Sequence, residues 1–244
     1  MLFCRLVAAL ENMTSPQARE HDDRVLVVPV GATEQHGPHL PLSTDTDIAI
    51  ALADGLGARA VIAPAIAYGS SGEHQDFPGT LSIGAEATQL LLVELGRSAT
   101  CTWPRVLFLS THGGNAEAVS RAVRQLRAEG RDVRAWSPRW EGDAHAGRTE
   151  TSVMAALAPD RIAQALAPVG ATAPLTELLP RLRDEGVAPI SPNGVLGDAT
   201  TADAEHGAQL LADAADALAT FIASWPARGT TERARGDDDG RSAA

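Results

Sequence analysis

The sequence predicts an α/β protein, a sandwich in which helices cover both faces of a mostly parallel sheet. Two observations predict it: short β-branched runs that read as buried strands, and helical patterns of roughly 10 to 15 residues between them. The first strand is Val25–Val30, apolar at every position and closed by Gly31, as expected of a strand covered on both faces. A helix at 45–56 follows, opening on acidic residues and ending among glycines. A second strand is read at 60–66, a helix at 86–95, a third strand at 106–109 and a helix at 115–128. Gly130 then leads into a fourth strand at 133–136. A further helix begins near Thr149, and a long alanine-rich one spans 202–222. Between them, 167–198 is rich in Pro and Gly and reads as irregular connections around a short helix at 176–183. Strand–helix–strand alternation with right-handed crossovers gives one domain, 25–226, after an N-terminal segment, 1–24. The stretch 227–244 has so little apolar content that burial would not offset its ordering entropy, so a disordered tail is predicted.

Composition removes several classes of function. The 244 residues, 44% hydrophobic, suffice for a sizeable core. Net charge is 20 − 31 = −11, and all 20 basic residues are arginine. Without lysine there is no Walker A loop, no Schiff-base lysine and no Ser-x-x-Lys nucleophile. An acidic chain with 4% aromatic residues lacks the phosphate-neutralising surface that nucleic acid requires. Cys4 and Cys101 form no thiolate metal motif and suggest no disulfide framework. Arg5 interrupts the apolar opening run, and no segment offers ~18 uninterrupted apolar residues, so a soluble cytoplasmic protein with no membrane partner is expected.

The chemistry collects around histidine. Five of the seven histidines fall in four segments that also carry carboxylates and glycines: GATEQHGPHLPLSTDTD, SSGEHQDFPGT, STHGGN and DAHAGRTETS. Glu34 and His36, two apart just beyond the first strand, would project to one side of an extended chain. His112 follows the third strand, and parallel α/β folds place ligands at such carboxyl ends. Oxygen and nitrogen donors without thiolates suit Zn²⁺, Mn²⁺ or Fe²⁺, and several carboxylates can bridge two ions about 3.5–4 Å apart. Asp45 is the natural bridge, and the His145/Glu150 pair would add a ligand and a proton-transfer group. Each residue also has an ordinary reading. Asp45 and Asp47 alone are helix caps or first-turn acids, Glu150 the acid of a capping box, His112 a strand-end cap, and His39 a structural hydrogen-bonder. Gly113 and Gly114 serve either a tight turn or close approach of a substrate. The coincidence of four such segments at strand ends and helix starts favours a site.

EQHGPHLPLSTD, GEHQDFPGT, THGGN and HAGRTETS, in that order, resemble the creatininase (creatinine amidohydrolase) family over roughly 25–159. The resemblance implies a three-layer α/β/α fold, a homo-oligomer, and two divalent ions per subunit, Fe²⁺ or Zn²⁺ first and Mn²⁺ sharing the same ligands. It makes Glu34, His36, Asp45, His112 and Glu150 the metal ligands, with Asp45 bridging, and His145 a catalytic histidine. Creatininases carry glutamate where this chain has Gly114. The likeness continues through APAIAYGSSGEH and PLTELLPRLRDEGVAPISPNGVLGDATTADAEHG to a peptide-trimming branch of the family. That branch implies metal-dependent hydrolysis of a modified precursor peptide, releasing a C-terminal Val-Tyr dipeptide. Glu73, His74, Gly113 and Gly114, with the loop before Asp198, are the first places to expect substrate contacts. The competing readings are a hydrolase of a small cyclic or formyl amide and a non-catalytic metal-binding scaffold that presents the peptide.

Overall fold

The computed structural model describes residues 8–226; residues 1–7, with Cys4, and 227–244, the predicted tail, lie outside the described residues. Five strands form one parallel sheet: β1 (Ala8–Ala9), β2 (Val25–Val30), β3 (Ala60–Ile62), β4 (Arg105–Ser110) and β5 (Val133–Trp136), in the order β1-β3-β2-β4-β5. All four predicted strands form, and Ala8–Ala9 of the N-terminal segment adds an edge to β3. The run read at 60–66 is shorter as a strand. Pro64 has no N–H to give the ladder, which stops at Ile62. Ile66 resumes pairing with β2, donating to the Pro29 carbonyl and accepting from the Gly31 N–H, both at 2.9 Å.

The described residues form seven α-helices: α1 (Ser15–Arg19), α2 (Thr44–Asp54), α3 (Gly84–Ala99), α4 (Ala116–Ala128), α5 (Arg148–Leu157), α6 (Leu175–Glu185) and α7 (Ala204–Ala223). The helix read at 86–95 is longer because Gly96, which looks like a stop, is a packing glycine. A β-carbon there would strike Leu126 of α4, so its absence lets α3 and α4 lie close.

Alternate strand residues build the layers. Val25, Val27, Leu107 and Leu109 pack with Ile48, Leu52, Met154 and Leu218 of α2, α5 and α7. Leu26, Val28, Val106 and Phe108 pack with Leu92, Val119 and Leu126 of α3 and α4. Each such fully buried side chain contributes about 1.5–3 kcal/mol. The result is a three-layer α/β/α sandwich. From β2 the chain steps outward to β3, then crosses back to β4 on the other side of β2. That reversal opens a crevice at the carboxyl ends of β2 and β4, where such sheets hold ligands.

Candidate metal centre

The loops leaving β2 and β4 bring Glu34, His36 and His112 into that crevice, and all three are buried. Asp45 enters from the first turn of α2, His145 from the loop before α5, and Glu150 from α5 itself. Asp45 sits between two histidines. Its Oδ1 lies 3.7 Å from His36 Nε2 and its Oδ2 3.5 Å from His112 Nδ1. Glu150 Oε2 lies 3.8 Å from His36 Nε2. Glu34 spans the other side, with Oε2 3.2 Å from His112 Nε2 and Oε1 3.4 Å from His74 Nε2 and 3.6 Å from His145 Nδ1. Glu34 and His36 thus reach one cavity, but on opposite sides of Asp45 rather than side by side.

The hydrogen bonds fix which ring nitrogens face the cavity. His36 Nδ1 donates to the Glu34 carbonyl at 3.2 Å, His112 Nε2 to the Ser70 carbonyl at 2.9 Å, and His145 Nε2 to the Gln35 carbonyl at 2.8 Å. Each ring therefore turns its other nitrogen toward a carboxylate, which is how metal-binding imidazoles are held. His74 differs. Gln35 Nε2 donates to His74 Nδ1 at 2.8 Å and to the Gly194 carbonyl at 3.0 Å, leaving the proton of His74 on Nε2, pointed at Glu34. That arrangement makes His74 a support for Glu34, and its ligand atom also converges with those of Glu34 and His145 within 4.8 Å.

The ordinary readings sort out residue by residue. Asp45 and Asp47 both lie in the first turn of α2, but Asp47 is the one spent on local contacts, accepting from Ser43 Oγ and pairing with Arg161, both at 2.8 Å. Asp45 Oδ2 has no hydrogen-bond partner. Asp143 caps α5, accepting from the N–H groups of Arg148 and Thr149. Glu150 accepts from the Ala146 N–H at 2.6 Å, an amide aimed by a left-handed φ of 52° at Ala146. His39 is a hydrogen-bonder, its Nε2 2.8 Å from Thr151 Oγ1.

Of the four positions expected to meet substrate, Glu73 is partly exposed and lies 4.0 Å from His112, while His74 is buried beneath it. Gly113 is exposed with open space beside it, and Gly114 is packed against Ser70, His112 and Glu73. Three participants escaped the sequence reading. Gln35 ties His74 to the Gly194 carbonyl through its side-chain amide and holds His145 through its main-chain carbonyl, Asn115 accepts from the Ser70 N–H and donates to the Gly31 carbonyl, and Thr111 Oγ1 donates to the Asp45 carbonyl at 2.7 Å.

The electrostatics describe charges packed without solvent. Burial pushes Glu34 up to about 8 against the pull of His112. Burial pushes His36 down, but Asp45, Glu150 and Glu34 outweigh it and raise it to about 10. Burial and the neighbouring His112 and His36 hold His74 down at about 3, and burial with His36 and His74 puts His145 well below its ordinary range. Both oxygens of Glu34, His36 Nε2 and Asp45 Oδ2 are buried with no hydrogen-bond partner, a costly condition for such groups. Donor atoms of Glu34/Asp45/His112 and of His36/His145/Glu150 each converge within 4.8 Å. These orphaned atoms and this donor chemistry fit divalent cations, with Asp45 between the two groups.

Fold and site together define an α/β/α protein with a histidine–carboxylate donor cluster of the metal-binding type. The chain belongs to the creatinine amidohydrolase (creatininase) family, whose pattern matches residues 11–222. It is 52% identical over 213 residues, 82% of this chain and 85% of the relative, to the mycofactocin precursor peptide peptidase of Mycobacterium ulcerans (strain Agy99). A crystal structure of creatinine amidohydrolase superposes with a TM-score of 0.76 at 24% identity, covering 88% of this chain and 96% of that one. A mutant creatininase of Zn–Zn type superposes with a TM-score of 0.69 at 25% identity, covering 88% and 97%. Among the described residues no helix is long and apolar enough to cross a membrane.

Proposed function

We propose that this chain is a metal-dependent peptidase that hydrolyses the modified mycofactocin precursor peptide and releases its C-terminal Val-Tyr dipeptide. The observation that carries the reading is Asp45, whose two oxygens face His36 and His112 between two donor groups. Relatives at 48–52% identity named mycofactocin precursor peptide peptidase support the substrate. Glu34, Asp45 and His112 would hold one divalent ion and His36, Asp45 and Glu150 a second, as Fe²⁺, Zn²⁺ or Mn²⁺; the Zn–Zn creatininase supports a pair. Bound there, such ions polarise a scissile carbonyl and make hydroxide available near neutral pH.

The chain's own groups do the rest. His145 is the proton carrier: with Nε2 committed to the Gln35 carbonyl, Nδ1 is the atom that takes and returns a proton on the way to the leaving amine. Gln35 and His74 hold His145 and Glu34 in register. Glu73, at the mouth, meets the substrate backbone beside the exposed Gly113. The protein acts in the cytoplasm as a homo-oligomer. Mass spectrometry of the precursor peptide, incubated with chain reconstituted with each ion or with chelator, tests the reading. Loss of Val-Tyr only with metal is expected. An intact peptide under every ion would overturn it and turn the search to small cyclic amides or to peptide presentation.

A further inference from the structure

A groove of about 1240 Å³ runs along the free edge of β5, between α4 and α7. β5 pairs only with β4, so its outer row of N–H and C=O groups has no partner strand among the described residues. Such an edge is a template for an added strand. The walls are unusual for a chain of net charge −11. Arg124 and Arg127 of α4, Arg134 of β5 and Arg139 after it all line the groove, against a single carboxylate, Asp213. None of the four arginines forms an ion pair among the described residues. Arg134 is held in place by stacking over Trp225, 4.5 Å from the ring centroid. The inner end of the groove is formed by Ser110, two residues before His112, and by Ala116, immediately after Asn115.

We infer that this groove is the docking site for an extended acidic peptide, which adds as a strand to β5 with its carboxylates on the four arginines. The inference rests on the peptidase reading and supplies that reading with a substrate track. Charge selects an anionic occupant, and the unpaired edge selects a polypeptide over nucleic acid, because only a peptide backbone repeats donor and acceptor along a strand. A second copy of this chain pairing edge to edge across a two-fold axis would bring the same arginines face to face. Direction follows from the fold. The cluster lies at the carboxyl ends of the parallel strands, so a peptide lying parallel to β5 presents its C-terminal end there. Four residues of β5 span roughly 13 Å at the rise of a parallel strand, enough to fix register before the scissile bond.

Fluorescence anisotropy on the full, metal-loaded chain tests this with three labelled dodecapeptides. One alternates Glu and Thr, one has Gln for every Glu, and one is the Glu peptide N-methylated at alternate residues on its pairing edge. The Glu peptide should bind about tenfold more tightly than the other two, and the advantage over Gln should shrink in salt. An Arg124→Ala/Arg127→Ala double variant should lose that tenfold with its metal content unchanged. Equal affinity for the Glu and Gln peptides, full binding of the N-methylated peptide, or a variant that changes oligomeric state but not peptide affinity would each overturn the proposal. Dipeptide release assayed alongside separates the two readings. Release without Glu/Gln discrimination overturns the groove alone, and discrimination without release overturns the peptidase alone.

Discussion

A β-carbon on Gly114 would lie 2.5 Å from Glu73 Oε1, so the missing side chain at one position admits the carboxylate of the other. The same β-carbon would meet the Ser70 carbonyl oxygen and His112 Nε2. In that space this chain brings the Glu73 carboxylate to 4.0 Å from His112, from the loop before α3. Gly114→Ala should therefore overpack the site and destabilise the protein by roughly 1–3 kcal/mol. Adding Glu73→Ala should recover part of that loss, because the two positions compete for one space. Urea unfolding of the two single variants and the double variant measures the coupling; strictly additive effects would show that the contact carries no energy.

Asp45 is the one carboxylate that faces both His36 and His112, and its replacement should be felt at both ions. Asp45→Asn keeps the shape and removes the charge. Metal analysis after dialysis should give fewer than two ions per chain, with dipeptide release lost alongside. Two ions bound at wild-type affinity would remove the bridging role.

The Gln35 side-chain amide donates to His74 and to the Gly194 carbonyl and accepts from the Gly37 N–H. Gln35→Ala leaves those partners buried and unpaired, at a cost of about 1–3 kcal/mol in stability. It also frees the His74 ring beside Glu34, so turnover should fall further than the loss of folded protein explains. Turnover per folded molecule, measured well below the melting point, checks this; an unchanged value would make Gln35 purely structural.

The strands were legible because β2 and β4 are apolar at consecutive positions and buried on both faces, a pattern few other elements share. The donor cluster was legible in the coincidence of four histidine-bearing segments, which the fold brings together at His36, His112 and Glu150. Gln35 was hidden by the periodicity that revealed its neighbours: in an extended chain it would point away from Glu34 and His36. Residues 31–35 form no strand, and Gly37, at φ 66°, turns the chain, so Gln35 folds back inward. Asn115 and Thr111 were missed for a different reason. Their bonds reach the Gly31, Ser70 and Asp45 backbones, contacts that exist only once the loops are packed.

His39, beside the donor cluster, supplies a pH dependence of its own. Burial, then the positive His36, holds it down at about 4, against an ordinary value of 6.5. Between those values the unfolded chain binds a proton that the folded chain does not, so stability is complete above pH 6.5 and declines as pH falls toward 4. The loss between pH 7 and 5 should be about 2 kcal/mol from this residue. His39→Gln should flatten that part of the profile; urea midpoints at the two pH values for both proteins give the comparison, and parallel profiles would refute it.

Removing the ions should expose what the buried cluster costs by itself. Without cations both Glu34 oxygens, His36 Nε2 and Asp45 Oδ2 are buried with no hydrogen-bond partner. A ligand present at a hundred times its dissociation constant stabilises the folded state by ~2.7 kcal/mol. For a domain of this size each kcal/mol moves the melting temperature by about 2–4 °C. Chelation should thus lower Tm by roughly 5–10 °C, and Zn²⁺ or Mn²⁺ should restore it better than Mg²⁺, which binds imidazole poorly. Asp45→Asn should show a much smaller shift on the same treatment, since it has less metal to lose. A chelated wild-type protein that is free of metal yet melts at the original temperature would mean that the cluster balances its own charges, through His36 and its three carboxylate neighbours, without any ion.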